Sequence, residues 1–152
     1  MLILVALCLG IVSGLRAVTS PAVVSWAARK GVLPLAGTHL AFLGYAATPW
    51  ILTVLALGEI VNDKLPGTPS RKIPSQVAGR VVSGALVGAA IGIVANALLW
   101  CLLAGVVGAL IGTYGGAAVR ARLAKAFGRD LPAALLEDAV AILLAIFAVS
   151  RV

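Results

Sequence analysis

Two carboxylates four residues apart, with a lysine beside one of them, interrupt an otherwise apolar stretch at Leu57-Gly58-Glu59-Ile60-Val61-Asn62-Asp63-Lys64. On a helix, positions i and i+4 share a face, so Glu59 and Asp63 put two acids on one stripe. The segment reads back apolar to Thr48-Pro49, an N-cap followed by a proline at the first helical position, and forward to a stop at Pro66-Gly67. Glu59 then lies about ten residues, or ~15 Å, inside the helix. That depth is close to the middle of a bilayer. A carboxyl there can take up and release a proton, bind a coupling ion, or hold an arginine. Arg16 in the first apolar run and Glu137-Asp138, ~8 Å inside the last helix, join it. Arg16, Glu59, Asp63, Lys64, Glu137 and Asp138 are therefore the candidate substrate or ion pathway. Each charge within a span costs about 2.5–3.5 kcal/mol on insertion scales, so a bundle interior or a water-filled cavity has to hold it. One plainer alternative is that Arg16 pairs with an acid to keep helices in register; a second is that Asp63, Lys64 and Arg16 lie near enough to an interface to snorkel or hydrate.

The composition dictates the solvent. Hydrophobic residues make up 62% of the 152 and charged ones 11%, with a mean hydropathy of +1.13, more apolar surface than a water-soluble domain of this size can hide. The net charge of +7 could suggest nucleic acid, but the basic residues gather at the ends of apolar runs, where anionic lipid headgroups are the simpler partner. Cys8 and Cys101 lie far apart inside apolar runs, and His39 is the only histidine, so no metal or cofactor is expected. Nor is there a nucleophile-base set of the kind an enzyme needs.

In chain order, residues 1–18 form a first span without the basic n-region of a secretory signal, with Gly10 and Gly14 on a small-residue face. Thr19-Ser20-Pro21 interrupts it, and a kinked continuation or interfacial half-helix runs to Arg29-Lys30. Residues 31–47, broken by Pro34, Gly37 and Gly44, read as a short interfacial or re-entrant helix, with Tyr45 and Trp50 in an aromatic belt. The second span is 48–64 and the proline-rich basic stretch 66–76 is an aqueous loop. A third span covers 77–95, with Gly84, Gly88 and Gly92 at fourth-residue spacing. The fourth, 98–119, repeats that spacing at Gly108, Gly112 and Gly116, breaks near Thr113-Tyr114-Gly115-Gly116, and exits through Arg120, Arg122, Lys125 and Arg129. Asp130 caps a last helix with Pro132 in its first turn. The expectation is one all-α membrane domain over residues 1–152, of about five transmembrane helices plus a short interfacial or re-entrant helix, packed through glycine zippers.

Leu9 to Thr19 aligns with Leu103 to Thr113, matching Gly14 with Gly108, and each segment is followed by a helix break, a basic exit and an acid-bearing helix begun by proline. Residues 2–64 and 98–151 would then be inverted copies joined by helix 77–95, an architecture common in secondary transporters. Five spans place the N-terminus inside and the C-terminus outside; a sixth crossing at 32–47 would put both termini outside and satisfy the charge rule better.

Gly14-Leu15-Arg16 before a helix break, Asp63-Lys64-Leu65-Pro66-Gly67, and Leu136-Glu137-Asp138 together resemble a bacterial membrane family known as domain of unknown function 4126. The resemblance covers nearly the whole chain, implies an integral bacterial membrane protein, and supplies no chemistry; the expected location is the cell inner membrane, with multiple passes. The charged residues point to a transporter or flippase for a small molecule, ion or lipid. The alternative is a structural or accessory subunit that docks through its glycines onto itself or a larger complex. Membrane lipids are the expected partners in either case, with a homo-oligomer in the second.

Overall fold

A computed structural model describes residues 1–65 and 72–152. Among them are six α-helices and no strand: α1 (Leu2–Leu15), α2 (Thr19–Arg29), α3 (Thr48–Asn62), α4 (Pro74–Val94), α5 (Leu98–Phe127) and α6 (Asp130–Val149). Helices α4, α5 and α6 are long and apolar enough to cross a membrane, and α1 and α3 are shorter apolar helices. Large apolar side chains such as Leu4, Trp50, Val54, Val82, Trp100 and Leu143 are more than half exposed, while the largest fully buried side chain is Arg16. Apolar residues face out and charge faces in, the reverse of a water-soluble protein and the arrangement a lipid solvent favours.

Helix α5 is the axis, with α1, α4 and α6 packed around it; α2 lies against α6, α4 and α1, and α3 is paired with α2 on the outside. Missing side chains make the inner contacts possible. A Cβ on Gly10 would strike the Gly105 carbonyl, and one on Gly14 the Ala109 carbonyl. Gly108 and Gly112 meet the backbone of α1 at Leu7 and Ile11 in the same way. On α4, a Cβ at Gly84 would lie 2.5 Å from the Gly105 carbonyl oxygen and one at Gly92 2.7 Å from the Leu98 Cα, and Gly88 faces Cys101. Gly105, which the fourth-residue pattern passed over, is where α1, α4 and α5 converge. Gly116 lines a groove between α5 and α6.

Several boundaries move. The first helix breaks at Arg16, in extended conformation, three residues before Thr19, and Pro21 sits within the first turn of α2, where its missing N–H is harmless. Helix α2 is no continuation of α1. The Ser20 hydroxyl donates to the Leu9 carbonyl at 2.8 Å, so the chain doubles back and α1 and α2 form a hairpin whose tip is residues 16–18. Residues 31–47 carry turns and one 3-10 turn, Ala41–Gly44, in place of a longer helix. Tyr45 and Trp50 are exposed there, and the Trp50 ring meets that of Trp26 edge-on at 5.0 Å.

Helix α4 begins at Pro74, earlier than expected; Pro66, Gly67 and Arg71 of the expected loop lie outside the described residues. Helix α5 is continuous through Thr113-Tyr114-Gly115-Gly116, and the basic exit at Arg120, Arg122 and Lys125 is its last two turns. Two internal glycines cost about 1 kcal/mol each, and the contact of this stretch with α1 compensates. Asp130 is the first residue of α6 without capping it; its carboxylate is drawn to Arg120 instead.

The inverted repeat does not hold. Gly10 lies against Gly105 and Gly14 against Ala109 to Thr113, so residue numbers rise together along α1 and α5. The aligned segments run parallel, whereas inverted copies require them antiparallel. Each helix from α1 to α6 reverses the direction of the one before it, so the C-terminal ends of α1, α3 and α5 share an end of the bundle with the N-terminal ends of α4 and α6.

Candidate functional site

That shared end holds all five of the chain's acids, and each is within reach of a cation. Arg16 is fully buried at the hairpin tip because the break in the backbone there turns it inward between α3 and α6. Its Nε donates to Asp138 Oδ1 at 2.6 Å and its Nη2 to Asp63 Oδ2 at 2.9 Å. Lys64 reaches the other oxygen of Asp138 at 2.5 Å. Arg120, one residue beyond the expected end of its span, bonds Asp63, lies 3.4 Å from Glu137 Oε2, and grips Asp130 through Nη2 at 2.6 Å. The result is an alternating chain of charge, Lys64, Asp138, Arg16, Asp63, Arg120, then Glu137 and Asp130, that joins α1, α3, α5 and α6.

Glu59 stands beside this chain and has a different partner from the one its depth suggested. Its two oxygens accept from the backbone N–H groups of Ala17, at 2.8 Å, and Val18, at 2.9 Å. These amides open α2, so the carboxylate closes a helix N-terminus, where free donors and the helix dipole favour negative charge. The cation near it is Arg80, 3.8 Å away, which also donates to the Gly14 and Leu15 carbonyls at 2.5 and 2.8 Å. Ser83 bonds the Ala17 carbonyl and lies 3.3 Å from Ser13. The exposed backbone of the hairpin tip is thus satisfied by α3 from one side and α4 from the other, as a helix break in an apolar medium demands.

The structure therefore brings together all six residues named from the sequence and adds Arg120, the first charge of the basic exit, and Arg80. Arg80 carried a legible signal: it lies between Val77 and Val82, one turn before Gly84. The pairing of Glu59 with Arg16 does not occur. Glu59→Gln is accordingly expected to cost about 1–2 kcal/mol, since the amide nitrogen of glutamine would face a backbone donor. Adding Arg16→Gln should worsen that loss. Thermal unfolding of both variants in detergent checks this, and a rescue by the second change would contradict the geometry.

The cluster sits off the middle, displaced toward one end. Helix α1 brings Arg16 ~21 Å from the opposite end, while Arg80 is ~9 Å from the start of α4 and Asp138 ~12 Å from the start of α6. Arg16 Nη1, inside it, is buried without a hydrogen-bond partner, as is Thr19 Oγ1 three residues on. No group of three or more histidine, cysteine or acidic residues among the described residues could hold a metal ion.

No curated protein and no solved structure matches this chain. Residues 3–151 match the family described as domain of unknown function (DUF4126), and the continuous match from α1 to the end of α6 places the charged cluster and the glycine contacts within that one domain. The chain belongs to the DUF4126 family.

Proposed function

We propose that the protein is a multi-span carrier or flippase of the bacterial inner membrane, with the charged cluster as its substrate or ion pathway. One observation carries this reading: four of the chain's five acids, all but the exposed Asp130, are gathered with Arg16, Lys64, Arg80 and Arg120 inside a bundle whose outer surface is largely apolar. A bundle that only needs to hold together has cheaper means, because buried ion pairs offset their own desolvation poorly. The alternating chain of charges lets one carboxylate exchange partners without leaving a charge bare, and Arg16 Nη1 offers a donor to an incoming anion. Six alternating segments cross or enter the bilayer, with α2 the sixth. The exposed positive charges Lys72, Arg122, Lys125 and Arg129 at the cluster end make that end cytoplasmic by the positive-inside rule. Transport needs no bond chemistry, so the proposal assigns the protein no enzyme activity.

A specific observation favours the second reading, an accessory subunit: the glycine contacts lock α1, α4 and α5 backbone to backbone, leaving little room for that trio to rock. Lipid, or a second copy, would then cover the apolar faces of α3 and α6.

Purified protein in liposomes distinguishes the two. A flippase moves fluorescent phospholipid between leaflets, so dithionite bleaches well beyond the outer-leaflet half; a carrier gives transient currents on a supported membrane when solutes or pH are stepped. Asp138→Asn should abolish either signal while the protein still reconstitutes. Bleaching fixed at one half together with no current across a panel of organic anions, amino acids and inorganic ions would leave the accessory role.

A further inference from the structure

An apolar groove of about 310 Å³ runs between α1, α5 and α6. Its walls include Ile11 and Leu15 of α1 and Leu136 and Val140 of α6, and its floor is the surface of α5 from Ile111 to Leu123. Glycines 112, 115 and 116 flatten that floor. Arg120 and Glu137, already paired with each other, are its only charged lining residues. Twelve helical steps separate Ile111 from Leu123, a length of ~18 Å. The half-thickness of a hydrocarbon core is about 15 Å. The groove is therefore one leaflet deep, narrow and dry, the shape of a single acyl chain.

Its charged end says which lipid. Arg122, Lys125 and Arg129 follow Arg120 on α5 and its exit, are exposed, and make no ion pair among the described residues. Since all five acids of the chain already hold cations in the cluster, nothing in the described protein balances these three. We infer that the groove binds one anionic phospholipid, with an acyl chain along α5 between α1 and α6 and the headgroup phosphate at the basic end beside Arg120. This rests on the membrane setting of the preceding proposal and is independent of transport, and it gives the charged cluster a lipid headgroup as its nearest neighbour in the membrane.

Gly115 makes the test clean. A Cβ there meets no atom within 4 Å, so a larger side chain fills the groove without disturbing a helix contact. The protein is extracted from vesicles of equal phosphatidylglycerol and phosphatidylethanolamine in mild detergent, and retained lipid is read by native mass spectrometry. Wild type should carry one phosphatidylglycerol per chain in preference to phosphatidylethanolamine. Gly115→Leu should lower that occupancy about tenfold with unchanged thermal unfolding; Val140→Trp, which narrows the groove from α6, should do the same and stands in should Gly115→Leu misfold. Neutralising Arg122, Lys125 and Arg129 to glutamine leaves the groove open and should remove the preference for the anionic lipid, by about fivefold per charge. Full phosphatidylglycerol occupancy in the filled variants, or equal retention of the zwitterionic lipid by wild type, overturns the inference. Lipid retained by a protein that gives no flipping and no current would instead defeat the transport proposal alone.

Discussion

Arg16→Met is expected to destabilise the protein by about 3–5 kcal/mol, the usual cost of removing one partner from a buried ion pair. The side chain bridges Asp63 and Asp138, so its loss separates the two halves of the charge chain, and methionine fills a similar volume without offering a donor. Each acid keeps a second cation, Arg120 for Asp63 and Lys64 for Asp138, which sets the effect toward the lower bound. Removing one of the stranded charges as well, in Arg16→Met with Asp138→Leu, should recover part of the loss. Melting temperatures in a single detergent measure both. An unchanged Arg16→Met melting temperature would mean that water reaches the pair and that the network contributes little to the fold.

Gly105→Leu should have the larger effect and abolish the folded, monodisperse protein. Overpacking a core costs about 1–3 kcal/mol where neighbours can shift, but here the neighbours are backbone: a Cβ at Gly105 meets the Gly84 carbonyl, and α1 approaches the same residue through Gly10. The clash starts at the Cβ itself, against the α4 main chain at Gly84 and Gly88, so no rotamer relieves it. Gly115→Leu, ten residues further along the same helix, is the matched control and should fold normally. Gly105→Ala should fall between them. Size-exclusion profiles and thermal unfolding rank the series, and a well-folded Gly105→Leu would show that α1 and α4 can part from α5 at small cost.

How much of this was legible depends on the physics each feature rests on. The membrane setting and the six charged residues of the candidate site follow from composition and from the cost of charge in lipid, which are properties of single segments. Close approach at Gly10, Gly84 and Gly112 follows from spacing alone. What escaped depended on partners. The doubling back of α2 is set by Ser20 reaching Leu9 and by Glu59 closing its N-terminus, contacts between distant residues that no window of sequence displays. The break placed at Gly115-Gly116 fails because propensity is a weak prior and the packing of α5 overrides it. The inverted repeat failed for a related reason: glycine-rich apolar segments align easily, and their direction in the bundle depends on how many turns lie between them. Arg120 looked like the end of a span because acids to hold it inside lie 57 residues before it and 17 after.

The closing of α2 by Glu59 has a consequence in time. The carboxylate that satisfies Val18 is 41 residues further along the chain. At synthesis rates of about 5–20 residues per second, some two to eight seconds pass between the emergence of the turn and that of its partner. Through that interval the Ala17 and Val18 amides have only water or the insertion machinery to bond. Helix α2, with Thr19, Ser20, Pro21 and Ser25 among its eleven residues, has little apolar character with which to enter lipid unaided. The hairpin is therefore expected to wait at the membrane surface and enter with α3, so that the first three helices are delivered to the bilayer together.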